Sequence, residues 1–213
     1  MINKLKSLIK KTFLYAFIIK YRQTKGLKEI EKEISKNKYY PHYIHAEIIE
    51  LSKKYKINNF VETGTYIGNT IFGVKDAFKT IYSIELNNQI FNLVKERFKE
   101  YDDINILNGD SAKILHDILI KINKPTIFWL DAHYSSGGTS KGERHTPIFE
   151  ELKTIFNHVN KNHIILIDDM KDFIGQNDYP TIKELESFVI ENSNYEFSIT
   201  NGVAYLIEGS IND

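Results

Sequence analysis

The sequence predicts an α/β domain in which a doubly wound, mostly parallel sheet closes on an antiparallel hairpin. Three observations predict it. From residue 59 onward, five short strand-like runs alternate with helix-like runs, the pattern of consecutive βα units. The first strand-like run enters a glycine turn, Glu62-Thr63-Gly64-Thr65-Tyr66-Ile67-Gly68, and a helix-like run follows. The chain then ends on two strand-like runs joined by Asn201-Gly202, a strong hairpin signal.

Residues 1–36 read as a basic amphipathic arm and residues 37–213 as the domain proper. Lys4, Lys6, Lys10, Lys11, Lys20, Arg22, Lys25 and Lys28 all precede the first acid, Glu29. Leu5, Leu8, Ile9, Phe13 and Phe17 recur at helical spacing. The apolar run 12–19 is too short to span a bilayer, and no small-residue cleavage site follows it. Two readings stay open. Residues 1–25 lie on an anionic membrane, which places the protein in the cytoplasm at the inner membrane face. Alternatively the arm packs on its own domain or on a second copy in a homodimer.

Residues 27–36 and 41–55 follow as helix-like runs, broken around Pro41. The predicted strands are 59–62, 80–85, 104–107, 126–131 and 163–168, with helices at 69–78, 88–99, 111–122, 147–159 and 181–192. Asn69 or Thr70 is placed to cap the first of those helices. The hairpin strands are 195–200 and 203–208, which brings the sheet to seven strands.

Composition narrows the function. Lys plus Arg equals Asp plus Glu at 28 each, so no global field favours nucleic acid. The chain has no Cys, which excludes disulfides, thiolate metal sites and a Cys nucleophile, and it fits a reducing compartment.

Ligands of doubly wound sheets sit beyond the carboxyl ends of the strands. Glu62, Glu85, Asp110, Asp131, Asp168 and Asp169 fall there, more carboxylates than solubility requires. Glu85 lies about twenty residues after the glycine turn, the spacing that suits an acid on ribose hydroxyls. Asp131, Asp168 and Asp169 put three hard oxygen ligands at adjacent strand ends, as Mg²⁺, Mn²⁺ or Ca²⁺ requires. In the plainer reading Asp168 caps a loop or helix and Asp169 is solvated.

Taken together these segments resemble the class I S-adenosylmethionine-dependent methyltransferases, from about Pro41 to the C-terminus. Glu62–Gly68 is similar to that family's E/D-x-G-x-x-x-G loop, which implies that Glu62, Thr63, Gly64 and Gly68 hold the methionine end of S-adenosylmethionine. Glu85 matches the acid on the ribose, and Gly109-Asp110-Ser111 resembles the segment beside the adenine. The fold so implied is a Rossmann-like methyltransferase sheet. A carboxylate at position 62 would repel a pyrophosphate, which favours the methyl donor over a dinucleotide.

The acceptor half resembles the divalent-metal-dependent O-methyltransferases of the catechol and caffeoyl-CoA type, where an Asp after strand four pairs with Asp-Asn after strand five. Here Asp169 stands at the Asn position, and Tyr134 stands where those enzymes place a Lys base. His133, whose imidazole titrates near neutral pH, is the candidate base, and it is equally a candidate metal ligand or a residue that bonds to one. Glu143, Arg144 and His145 are candidates for gripping substrate on a loop spanning 132–146, and Tyr39, Tyr40, His42, Tyr43 and His45 for lining the acceptor pocket. His116, His158 and His163 read as structural or exposed, and Phe128 and Trp129 as sheet core. The loop also resembles uncharacterised bacterial methyltransferases associated with surface-polysaccharide gene sets, which implies a small-molecule or glycan acceptor. The expected activity is O-methylation of a saccharide hydroxyl with divalent metal assistance. The alternatives are a metal-dependent hydrolase or hydroxylase on the same scaffold, or a non-catalytic membrane-associated binding module.

Overall fold

A computed structural model describes residues 26–36, 38–131 and 146–209. Helix α1 covers residues 26–35, and α2 is Tyr43–Tyr55. The order then runs β1 (Asn59–Thr63), α3 (Asn69–Val74), β2 (Thr80–Glu85), α4 (Asn88–Arg97), β3 (Ile104–Asn108) and α5 (Ser111–Lys121). It continues with β4 (Thr126–Leu130), α6 (Ile148–Phe156), β5 (Ile164–Ile167), α7 (Ile182–Asn192), β6 (Tyr195–Thr200) and β7 (Val203–Glu208).

The seven strands form one sheet in the order β3-β2-β1-β4-β5-β7-β6. Strands β1 to β5 are parallel, and β7 returns antiparallel between β5 and β6. This is the doubly wound arrangement expected from the alternation of runs. The sequence reverses direction at β1 and β4, where ligands of such sheets bind. Asn201 and Gly202, both at positive φ, close the hairpin, as a type I′ turn demands.

Because successive side chains on a strand point to opposite faces, the apolar strands feed two cores. Val61, Phe128, Leu130, Ile165 and Leu206 pack with Leu115, Leu152 and Leu185 under α5, α6 and α7. Phe60, Trp129 and Leu166 pack with Ile44, Ile71, Ile90 and Val94 under α2, α3 and α4. Ile30 of α1 is buried in this second core, with Leu27 and Ile34 against it. The described end of the arm thus packs on the domain, whereas residues 1–25 lie outside the described residues. No helix among the described residues is long and apolar enough to cross a membrane.

Two local expectations are corrected. The run 69–78 divides into α3 and a 3₁₀ turn at Lys75–Ala77. Neither Asn69 nor Thr70 caps α3: the N-cap is Gly68 in the left-handed region, without a side-chain bond. Asn69 instead makes a reciprocal pair with the Tyr40 backbone, accepting its N–H at 2.9 Å and donating to its carbonyl at 2.8 Å. A planar amide that satisfies a donor and an acceptor at once has no need of the helix end. Only glycine suits position 68, since φ is +73° and an added Cβ would lie 2.5 Å from Phe98 Cε2.

Candidate functional site

The parallel ladder brings the acids together. The Asp131 N–H donates to the Thr63 carbonyl at 3.0 Å, and the Asp168 N–H to the Leu130 carbonyl at 3.1 Å. Each bond extends the sheet pairing one residue past a strand end, so Asp131 and Asp168 stand side by side. Carboxylate oxygens of Asp131, Asp168 and Asp169 all lie within 4.8 Å of one another. Asp169 has a left-handed backbone (φ 55°), uncommon for a residue other than glycine. Its N–H donates to Asp168 Oδ1 at 2.7 Å, and Lys171 Nζ reaches its Oδ1 at 2.9 Å.

Burial pushes the Asp131 carboxyl well above the usual range, and the negative charges of Asp168, Glu62, Asp169 and Glu151 push it further. Asp168 is also raised by burial, with its bond from Asp169 N–H opposing the shift. Carboxylates crowded in this way favour a cation among them. The residues present therefore fit a hard divalent ion.

The glycine turn folds over the end of β2. Gly64 and Thr65 both donate N–H to the Ile84 carbonyl, at 2.9 and 3.2 Å. Glu85 accepts the Tyr66 N–H at 2.9 Å on one oxygen and the Asn87 N–H at 2.7 Å on the other. Burial raises its pKa against those two bonds. Each oxygen keeps a lone pair, enough for a vicinal diol. Arg97 fastens the turn from outside, donating to the Ile67 carbonyl at 2.5 Å and to the Lys38 carbonyl at 3.1 Å. Asp110 caps α5 by accepting the Ala112 N–H at 3.1 Å, and Ser111 is buried behind it.

Glu62 does not reach the surface of the site. Only 1 % exposed, it accepts from the Ser83 hydroxyl at 2.6 Å. Burial pushes its pKa up to about 8, opposed by the Ser83 and Thr70 hydroxyls. Thr63 is fully buried on the opposite face of the sheet.

Around the acids, the structure places two groups that the sequence left in the background. His42 lies close enough to Asp168 to oppose the rise in its pKa. Tyr43 donates its hydroxyl to the Asn201 carbonyl at 2.9 Å and senses the charge of Asp168. His45, by contrast, is buried against Tyr39, with Tyr39 Oη 2.8 Å from its Nδ1, so it is a core residue. Tyr179, on the connection between β5 and α7, is not among the residues singled out from the sequence. Burial and the charges of Asp172, Asp169 and Asp131 push its pKa up to about 12, which places it beside the acid cluster.

A second missed residue is Glu151 on α6, 1 % exposed. Its pKa is pushed up to about 7 by burial, with the Ser111 and Thr63 hydroxyls opposing the shift. Its helical phase was the signal. Ile148, Leu152 and Ile155 are buried at the neighbouring positions of one face, and an acid at that phase faces inward. The predicted base His133, and Tyr134, Glu143, Arg144 and His145, lie outside the described residues. His116 is exposed, whereas His158 and His163 are buried and bonded to each other at 2.9 Å.

No protein-family model matches the chain. Among curated proteins it is similar to the ribosomal RNA small subunit methyltransferase A of Clostridium botulinum strains Okra and ATCC 19397, 26% identical over 99 residues. That match spans 46% of this chain and only 36% of the relatives' length. Solved structures agree over far more of the fold. The S-adenosylhomocysteine-bound methyltransferase PaMTH1 of Podospora anserina superposes with a TM-score of 0.58 at 16% identity, over 92% of this chain and 95% of that one. The Streptomyces achromogenes O-methyltransferase TomG, which acts in tomaymycin synthesis and was solved with S-adenosylmethionine, gives 0.56 at 13%, over 88% and 90%. An O-methyltransferase of Bacillus cereus in complex with S-adenosylhomocysteine gives 0.59 at 10%, over 86% and 91%. With its strand order and its reversed β7, the chain has the fold of the class I S-adenosylmethionine-dependent methyltransferases.

Proposed function

We propose that the protein methylates a hydroxyl of a saccharide or related small molecule, using S-adenosylmethionine and a divalent cation. The observation that carries this reading is the convergence of Asp131, Asp168 and Asp169 within 4.8 Å, beginning at the end of β4 beside the glycine turn of β1 and two strands from Glu85 at the end of β2. S-adenosylmethionine supplies the methyl group from a sulfonium that leaves as a neutral thioether. A divalent cation supplies positive charge that lowers the pKa of a nearby hydroxyl.

The chain's own residues do the rest. Glu85 accepts from ribose hydroxyls, while Tyr66 and Asn87 hold its carboxylate still. Thr63, Gly64 and Gly68 shape the turn around the methionine end, with Glu62 beneath it, and Asp110 and Ser111 bound the adenine side. Asp131, Asp168 and Asp169 would hold the cation, whose charge would favour ionisation of an acceptor hydroxyl beside the glycine turn. His133 takes the proton. Most of the acceleration comes from alignment and fixed charge, since the sulfonium is already reactive.

A saccharide suits the polar and aromatic groups flanking the acids, His42, Tyr43 and Tyr179, which combine hydrogen bonding with ring faces. The equal numbers of acidic and basic residues argue against a polynucleotide acceptor. The basic residues of 1–25 suit an anionic membrane surface, where lipid-linked glycans are presented. The test is transfer of labelled methyl from S-adenosylmethionine to a panel of glycans and catechols, with Mg²⁺, Mn²⁺ or EDTA. Metal-dependent labelling of a glycan supports the reading. Labelling of catechols alone sinks the saccharide, and labelling undiminished by EDTA sinks the metal.

A further inference from the structure

We infer that Ser83 is a positioning residue for the methionine end of the methyl donor. From β2 it joins the Glu62 carboxyl and the Thr65 hydroxyl of the glycine turn into one hydrogen-bonded chain, and so fixes both. The inference rests on the methyl-transfer reading above and adds to it a residue that touches neither cofactor nor acceptor.

The parallel register sets Ser83 of β2 opposite Glu62 of β1. Ser83 Oγ donates to Glu62 Oε2 at 2.6 Å and lies 2.6 Å from Thr65 Oγ1. All three side chains are at most 3 % exposed. The backbone repeats the grip one residue on, where the Gly64 and Thr65 N–H groups donate to the Ile84 carbonyl. Glu85 then accepts the Tyr66 N–H. Three consecutive residues of β2 therefore hold the turn, and through Ser83 the grip extends to Glu62.

Stability alone does not call for this chain. The same face of the sheet is otherwise filled by Phe60, Trp129 and Leu166, and an apolar pair at 62 and 83 would avoid burying a carboxyl. Among the described residues no Lys, Arg or His forms an ion pair with Glu62. The charged groups coupled to it, Glu85 and Asp131, are themselves acids. A buried carboxyl in such company suits a cation brought by a ligand, and the ammonium of the methionine moiety is one. A hydroxyl donating to a carboxylate favours its charged form, so Ser83 both aims Glu62 and readies it for that cation.

The test is a double-mutant cycle read by calorimetric titration of S-adenosylhomocysteine, which carries the same amino acid end. It compares the wild-type protein, Ser83→Ala, Glu62→Gln and the double variant, with melting temperatures to verify folding. Ser83→Ala is expected to bind roughly ten-fold more weakly than the wild type. In the Glu62→Gln background the same change should cost less than about two-fold, because Ser83 acts through Glu62. A purely structural role would cost affinity equally in both backgrounds. Equal losses, or wild-type affinity in Ser83→Ala, would overturn the inference while leaving the methyl-transfer reading intact. Should Ser83→Ala fail to fold, Thr65→Val removes the other hydroxyl of the chain, and the same two outcomes decide. Absence of binding by the wild-type protein would instead sink the methyl-transfer reading and this inference with it.

Discussion

The Ser83 hydroxyl donates to the Glu62 carboxyl at 2.6 Å between β1 and β2. Ser83 has one proton to give, so Thr65, whose hydroxyl lies 2.6 Å away, donates to Ser83 in turn. Glu62 sits on one face of the sheet and Glu151 on the other, two buried carboxyls beneath one rim.

Their titration has a definite sign. Burial raises Glu62 to about 8 and Glu151 to about 7. Stability associated with a raised folded-state pKa is fully present below the unfolded value and is lost as pH rises through the folded value. Between the ordinary carboxyl value of 4.5 and about pH 8 the protein should therefore lose stability because of these groups. Glu62→Gln should flatten that decline in thermal melts across the range. An unchanged slope would mean that Glu62 is ionised in the fold at neutral pH.

The acid cluster makes a metal prediction that does not need an acceptor. Mg²⁺ or Mn²⁺ should raise the melting temperature, because an ion that binds only the folded state stabilises it by mass action. At a hundred times the dissociation constant the gain is about 2.7 kcal/mol. Asp168→Asn should remove most of it. Asp169→Asn should keep much of it, since an amide oxygen still coordinates and one like charge is gone. Melting curves that coincide with and without metal would eliminate the site.

The buried histidine pair makes an acid-side prediction. His163 Nδ1 accepts the Thr126 N–H at 3.1 Å, so in the neutral ring Nε2 carries the proton and donates to His158 Nδ1 at 2.9 Å. Burial lowers His163 to about 3, with the neighbouring His158 adding to the shift. A lowered histidine contributes stability that is present above its unfolded pKa of about 6.5 and lost as pH falls toward 3. His163→Phe should cost about 1–3 kcal/mol at neutral pH by orphaning the Thr126 N–H. That difference should shrink in acid, as urea titrations at successive pH values would register. A constant difference would contradict the assignment.

Gly73 tests the packing behind the turn. An added Cβ would meet His45 Nδ1 at 2.6 Å, the atom that Tyr39 engages at 2.8 Å. Alanine gains about 1 kcal/mol of helix propensity over glycine. Overpacking costs typically 1–3 kcal/mol, so the clash should win. Gly73→Ala is expected to lower stability in urea unfolding, and a more stable variant would show that His45 moves aside freely.

The strands and the closing hairpin were legible in the sequence because their signals are local. Phe60-Val61 and Asn201-Gly202 announce a buried strand and a type I′ turn from a few residues each. The convergence of Asp131, Asp168 and Asp169 was legible too, since acids directly after adjacent parallel strands must meet. Asn69 misled because side-chain preference alone cannot tell a helix cap from a reciprocal pair with Tyr40, 29 residues away in sequence. Glu151 sits beside Glu150 in sequence, and only the helical phase of Ile148 and Ile155 marks it as the inward-facing acid. Tyr179 gives no local signal at all. Its place beside the acids depends on how the chain between β5 and α7 folds back, closing with the Ile174–Thr181 bridge.

The most direct test of the account is calorimetric titration of S-adenosylhomocysteine into the wild-type protein and Glu85→Ala. The account predicts dissociation constants on the order of micromolar for the wild type, about −8 kcal/mol. It predicts at least roughly a hundred-fold weakening in Glu85→Ala, which loses a charged hydrogen-bond acceptor for both the ribose and the Tyr66 N–H. Absence of binding by the wild-type protein, or equal binding by Glu85→Ala, would contradict the central claim that this rim holds S-adenosylmethionine.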